Sequence, residues 1–198
     1  ERPSAIFKRH CFAVAYPEDD VKKIVDELGY TDPILMGSDY PHPEGIASPR
    51  DFVTEALAGL DDRQISEIMY LNGRRMLPRG RGKIINIGSL TSSLARATVA
   101  PYTVAKGGIK MLTKAMAAEW AEHGIQANAI GPGYMLTDMN QALIDNPAFD
   151  AWVKGRAPAK RWGLPEELAG VAVFLASPAS NYINGQIIYV DGGFSAVL

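Results

Sequence analysis

The stretch "GKIINIGS" (residues 82–89), followed after a loop by "PYTVAKGGIKMLTKAMAAEWAEHG" (residues 101–124), decides how this chain reads. The first is a continuous apolar run, so it is expected to be a fully buried strand of the kind found in parallel sheets. The second has Pro101 near its start and Gly124 at its end, the usual polarity of a long helix. A buried strand feeding a helix is the building unit of α/β proteins.

The rest of the chain repeats that alternation. Upstream, "HCFAVAY" (residues 10–16) has the aromatic and β-branched bias of a strand. "PEDDVKKIVDELG" (residues 17–29) is a helix with Val21, Ile24, Val25 and Leu28 on one face and Gly29 as its stop. "DPILMGSD" (residues 32–39) is a short strand, and the Pro/Gly-rich "YPHPEGIASPRD" (residues 40–51) is a loop. Two helical segments follow, over residues 48–59 and 61–77. Downstream, "IQANAIGPG" (residues 125–133) and "GQIIYVDGG" (residues 185–193) are strands, and "LPEELAGVAVFLAS" (residues 164–177) is a helix opened by Pro165. The fold class expected is α/β: a Rossmann-like layered parallel sheet of about five strands with helices on both faces. In that sheet the two N-terminal strands lie beside residues 82–89.

Composition narrows the function. Of 198 residues, 47% are hydrophobic and 21% charged, which is globular and not disordered. No apolar run reaches the roughly 18 residues of a membrane span, and the N-terminus has neither a signal-peptide core nor an initiator Met. A net charge of −2 excludes the basic excess of a nucleic-acid binder. A single cysteine, Cys11, forms no intrachain disulfide and fits a reducing, cytoplasmic setting. The charge is uneven: residues 1–78 hold 9 Lys/Arg and 14 Asp/Glu, residues 79–198 hold 11 and 8. That asymmetry points to two origins.

Chemistry concentrates after residue 83. Ser89 ends a buried strand, where open α/β sheets place their ligands. Tyr102 and Lys106 are i,i+4 on the next helix and share a face. An ammonium near a phenol favours the phenolate, so Tyr102 is a candidate general acid/base, with Ser89 orienting a carbonyl or hydroxyl. "GPGYMLT" (residues 131–137) is a candidate backbone cradle for a cofactor amide or phosphate. Each feature also has an ordinary reading: a strand-end Ser as a cap, a Tyr/Lys pair on a surface helix. A hydrolase reading uses Ser89 as nucleophile with Tyr102/Lys106 beside it, and Gly88 or Gly131 N–H groups as oxyanion donors, on an ester substrate. Gly107 and Gly108, each weakening the helix by about 1 kcal/mol, imply close packing against a neighbour.

These residues resemble a family. "INIGS", "YTVAK" with Tyr102 thirteen residues after Ser89, "NAIGPGYMLTDM" and "YINGQIIYVDGG" make residues 74–198 similar to the carboxyl-terminal half of the short-chain dehydrogenase/reductases, the gluconate 5-dehydrogenase-like members above all. The resemblance implies an NAD(P)-dependent oxidoreductase acting on a small carbonyl or alcohol. In it Tyr102 is the acid/base, Lys106 lowers its pKa and holds the nicotinamide ribose, and Ser89 positions the substrate oxygen. Pro132, Gly133 and Thr137 contact the nicotinamide end. It also implies a homo-oligomer through helix 101–123, with Gly108, Met111, Leu112, Ala115 and Met116 on the apolar face. The family's Gly-x-x-x-Gly-x-Gly turn does not occur in residues 1–80, so dinucleotide binding is expected to be weakened or lost. Its catalytic Asn has no clear equivalent either, Asn72 being too close to Ser89.

Residues 1–77 resemble something different. "FKRHCFAVAYPEDD", "ILMGSDYPHPEG" and "MYLNGRRML" are similar to the end of a TIM-barrel metal-dependent amidohydrolase. That resemblance puts Asp39 at a metal-ligand position, but zinc needs about three or four protein ligands. No metal is expected. The chain then reads as a fusion: an amidohydrolase-like βαβα fragment (1–77) and a dehydrogenase half (78–198), in one compact hybrid domain. Its junction is a single helix carrying "GRRML".

Overall fold

The structure, a computed structural model, describes residues 13–14, 20–35, 49–72 and 76–197. The chain divides into two compact units, Glu1–Gly82 and Lys83–Leu198.

In the first unit, helix α1 (Val21–Leu28) forms where the valine spacing predicts it. Asp20 caps it by accepting the Lys23 N–H at 2.9 Å, and Gly29 closes it at φ 75°. Its buried Val21 and Val25 join Ile34, Ala56, Leu57 and Ile68 in one core. Strands β1 (Ala13–Val14) and β2 (Ile34–Leu35) pair in parallel, Ala13 against Ile34. Helix α2 (Pro49–Thr54) precedes α3 (Asp62–Ser66), which opens on a reciprocal Asp61/Gln64 capping box. A π-helical turn, Glu67–Leu71, continues it; the sequence pattern does not distinguish this from an α-turn.

Buried polar groups hold this unit together. The Thr31 hydroxyl donates to Glu67, which also receives Arg63 Nε at 3.1 Å. Asn72 is fully buried, and its Nδ2 donates to the carbonyls of Thr31 (2.8 Å) and Ile34 (3.0 Å). Asn72 is therefore a clasp on the segment leading into β2. Helix α4 (Met76–Arg79) follows; residues 73–75 of the expected junction helix lie outside the described residues.

The second unit carries β3 (Gly82–Ile87), α5 (Ala100–Trp120), β4 (Ile125–Pro132), α6 (Gln141–Ile144), α7 (Pro147–Arg156), α8 (Ala169–Ala176) and β5 (Ile187–Val190). The sheet order is β3-β4-β5, with β4 parallel to β5 and Gly131 opposite Tyr189. Strand β4 is nearly continuously buried, as its apolar run requires. Asn128 and Asn184 stitch the β4–β5 entry: Asn128 Nδ2 donates to Ile183 O at 2.8 Å, and Asn184 Oδ1 accepts the Ala127 N–H at 2.7 Å.

Three expectations are corrected here. The five strands do not share one sheet: β1–β2 form a two-stranded sheet and β3–β5 a three-stranded one. Strand β3 is half-buried and Ile87 is 54% exposed, because among the described residues β3 has one paired neighbour. Gly107 and Gly108 do not mark a tight helix contact, since a Cβ at either would meet nothing within 4 Å. The segment between the "GPGYMLT" turn and Pro165, to which the sequence reading assigns no element, holds α6 and α7. Asn146 caps α7 ahead of Pro147.

Replacing Asn72 should be costly, since two buried carbonyls lose their donor. Asn72→Ala is expected to lower stability by about 3 kcal/mol, read as a lower urea midpoint at unchanged slope. Asn72→Asp, which cannot donate as a carboxylate, should do no better. An unchanged midpoint in both would remove the clasp.

Candidate functional site

The site grows from the carboxyl end of β3. Gly88 N–H donates to Ile130 O at 2.7 Å, carrying the β3–β4 ladder to its last residue. A Cβ on Gly88 would lie 2.7 Å from Ile187 Cδ1 and 3.0 Å from Ser92 Oγ, so a larger residue there would have to displace both side chains. Ser89 is extended and caps a single 3₁₀ turn, Leu90–Ser92. Ser89 Oγ accepts the Thr91 N–H at 3.3 Å, and Ser92 Oγ accepts the Ser89 N–H at 3.1 Å. The buried Ser92 hydroxyl then donates to the Lys106 carbonyl at 2.7 Å. One side chain thus fixes the strand end against α5.

Lys106 turns its side chain back to the same strand end. Its Nζ donates to Ile87 O at 3.2 Å and stands 5.6 Å from the Tyr102 ring centroid, a cation–π distance. A second tie sets the helix deeper on the sheet: Asn86 Nδ2 donates to Thr113 Oγ1 at 2.9 Å, and that hydroxyl donates to Ile109 O at 2.7 Å. Ser89, Tyr102 and Lys106 are therefore brought into one locality. Ser89 Oγ has no side-chain base hydrogen-bonded to it among the described residues. The nucleophilic-serine reading lacks the adjacent base it needs.

The "GPG" turn is shaped first by packing. A Cβ on Gly131 would approach Tyr189 Cδ1 to 2.5 Å, and one on Gly133 would approach Asp191 Cα to 2.6 Å. Pro132 ends β4, and Gly133 N–H donates to Val190 O at 2.9 Å. Thr137 is exposed at the head of the 3₁₀ turn Asp138–Asn140, and its side chain does not cap that turn.

Sequence reasoning passed over three residues. Ser92 could have been found from the Ser-x-x-Ser spacing of a capping box. Tyr134 and Arg96 gave no signal. Tyr134 lies at the centre of an aromatic cluster, with ring centroids of Phe149, Trp152, Trp162 and Phe194 at 5.6, 5.7, 5.6 and 5.4 Å. Burial pushes its phenol pKa up; the Arg96 guanidinium opposes this, and the Tyr102 phenol adds to the rise. The two tyrosines are within electrostatic reach of each other.

The far side of the cluster is pinned by an exposed ion pair. Arg161 reaches both oxygens of Glu167, at 2.7 and 2.6 Å, and Glu167 also accepts the Leu164 N–H at 2.7 Å. Hydrogen bonds from Arg161 and then from Leu164 lower the Glu167 pKa to about 2.

Among the described residues, no group of three or more His, Cys, Asp and Glu could hold a metal ion. Asp39, His10 and His42 lie outside the described residues. The donors near Ile87, an ammonium and a phenol at the carboxyl edge of the sheet, fit the hydroxyls of one end of a dinucleotide. For the pyrophosphate end, residues 1–80 carry no glycine-rich turn.

Comparison with known proteins decides the family. The profile described as enoyl-(acyl carrier protein) reductase matches residues 68–195. The chain belongs to the short-chain dehydrogenase/reductase family. Gluconate 5-dehydrogenase of Gluconobacter oxydans is 53% identical over 125 residues, 63% of this chain and 49% of that protein. This dehydrogenase-family chain thus spans about half the length of such curated relatives. A solved structure assigned as a gluconate dehydrogenase of Agrobacterium tumefaciens superposes with a TM-score of 0.67 at 53% identity, over 100% of this chain and 85% of that one. Another, gluconate 5-dehydrogenase of Burkholderia cenocepacia in complex with NADP and tartrate, gives 0.65 at 38% identity over 98% and 70%. These alignments run through the N-terminal unit as well.

The Arg161–Glu167 pair predicts a specific titration. Because the folded pKa of about 2 lies below the ordinary 4.5, the pair's contribution is present above pH 4.5 and is lost as the pH falls toward 2. NMR of the Glu167 side-chain carboxyl should titrate near 2, and in Arg161→Gln the midpoint should move up toward the ordinary value. A midpoint unmoved by that substitution would remove Arg161 as the cause.

Proposed function

We propose that this chain carries the proton-transfer machinery of an NAD(P)-dependent oxidoreductase that interconverts an alcohol and a carbonyl on a small polyhydroxy acid. The observation that carries the reading is the placement of Lys106, its ammonium over Tyr102 and bonded to the end of β3. Sugar-acid substrates are supported by relatives named gluconate 5-dehydrogenase and 5-keto-D-gluconate 5-reductase, and by the tartrate held by the Burkholderia enzyme. A hydroxy acid fits the same chemistry.

In this reading Tyr102 gives its phenolic proton to the substrate oxygen during reduction and takes it back during oxidation. Lys106 stabilises the phenolate left behind, since a cation beside a phenol favours the charged form. Ser89 donates a hydrogen bond from its hydroxyl to the same oxygen, keeping its proton, and orients the carbonyl. NAD(P), when bound, supplies or accepts the hydride. Tyr102, Lys106, Pro132, Gly133 and Thr137 would hold its nicotinamide end. Without the glycine turn, its affinity is expected to be low, each 1.4 kcal/mol of lost contact being about tenfold.

A homo-oligomer belongs to the same proposal. Along α5, Val104, Met111 and Leu112 are 76%, 61% and 44% exposed, and Gly108 opens onto empty space. An apolar stripe of this kind on the helix that carries the acid/base is what a second copy would cover. Light scattering at the monomer mass would remove this part. A single cysteine supports a cytoplasmic setting. An amidohydrolase parent for residues 1–77 rests on motif likeness alone.

Titrating the chain with NADPH and NADH, followed by cofactor fluorescence, tests the reading directly. Binding is expected for at least one, with slow oxidation in the presence of 5-keto-D-gluconate. Tyr102→Phe should cut that rate by about 10²–10⁴. Absence of binding by either cofactor would end the reading.

A further inference from the structure

Resting on the oxidoreductase reading of this site, a specificity determinant can be assigned from charge and geometry. Between Glu67 and Glu119 the sequence contains no acidic residue. The strand and loop that carry Ser89, and α5 as far as Ala118, thus hold basic residues and no acid. Arg96 is the member of this set in the loop between the Ser89 turn and α5, and it is exposed. Its guanidinium carbon stands 5.4 Å from the Phe149 ring centroid, and Phe149 meets Tyr134 edge-on at 5.6 Å. It also lies beside the Tyr134 phenol, which is in electrostatic reach of Tyr102.

The guanidinium is paired with no carboxylate among the described residues. The acids of the neighbouring elements are engaged locally. Asp150 accepts from Lys154 and Trp162, and Asp191 accepts the Gly193 and Ser195 N–H groups. A guanidinium resting on an aromatic face is a planar, permanently charged donor group of the kind that grips a carboxylate bidentately. Aromatic support limits the side chain's freedom, so less of it is lost on binding.

We propose that Arg96 is the specificity-determining residue that holds the carboxylate of an anionic polyhydroxy substrate whose reacting carbon lies against Tyr102. Tyr134 is then a positioning residue: with Phe149 it sets where the guanidinium sits. A neutral polyol of the same chain length has no partner for Arg96 and is discriminated against.

The probes are gluconate and sorbitol, which share a carbon chain and differ in the carboxylate. Trp152 and Trp162 flank Tyr134, so intrinsic tryptophan emission reports binding without turnover. In the unmodified chain gluconate should shift the emission at lower concentration than sorbitol; an equal response to both, or to neither, overturns the proposal. Arg96→Gln should weaken gluconate by about tenfold or more, equivalent to about 1.4 kcal/mol, with sorbitol unchanged. Arg96→Lys should recover part of the loss. Unchanged gluconate binding in Arg96→Gln, or equal loss of both probes, overturns it. The two readings separate cleanly. Charge-selective binding without NADPH oxidation in the unmodified chain upholds Arg96 and removes the oxidoreductase. Turnover in the unmodified chain with gluconate binding unaffected by Arg96→Gln does the reverse.

Discussion

The Ser92 hydroxyl is the joint on which the site depends. It accepts the Ser89 N–H and donates to the Lys106 carbonyl, so the end of β3 and the middle of α5 are held by one buried side chain. A hydroxyl can do both at once because it has a donor proton and two lone pairs. With that joint in place, Lys106 can return its ammonium to Ile87 O and lie over Tyr102. The Asn86–Thr113 bond fixes the same helix two turns further on, which prevents rotation about the Ser92 contact. Three functional candidates are thereby placed by two polar contacts and a helical repeat.

Packing explains several residues that also suit a cofactor. At Gly88, Gly131 and Gly133 a Cβ would crowd β5 or the Ser92 turn. These glycines suit the closing of the sheet whether or not anything binds. The electrostatics point outward from this packing. An acid-free stretch from Glu67 to Glu119 leaves the site's own elements positively charged, while the acids on α7 and after β5 are engaged close to home. Such a field favours anions on approach as well as in contact.

Legibility in the sequence followed locality. The long helix, the apolar β4 run and the Asp20 and Gly29 caps were readable because each is decided within a few residues. The Tyr102–Lys106 pairing was readable for the same reason, as i,i+4 residues must share a face. Burial of β3 was misjudged, because an apolar run does not say how many strands will flank it. The clasp made by Asn72 is not legible locally, because its partners, Thr31 and Ile34, come from elsewhere in the unit. The Gly107–Gly108 pair suggested crowding and instead faces open space.

By itself the sequence determined the strand–helix alternation, the order of the family motifs and the spacing of Ser89, Tyr102 and Lys106, since all of these are short-range or ordinal properties of the chain. Only the tertiary structure decided that the strands divide into two sheets, that Ser92 joins strand to helix, and that Arg96 meets Tyr134 and Phe149. Those contacts join residues tens of positions apart, and long-range pairing is set by which surfaces bury each other, which no local pattern encodes.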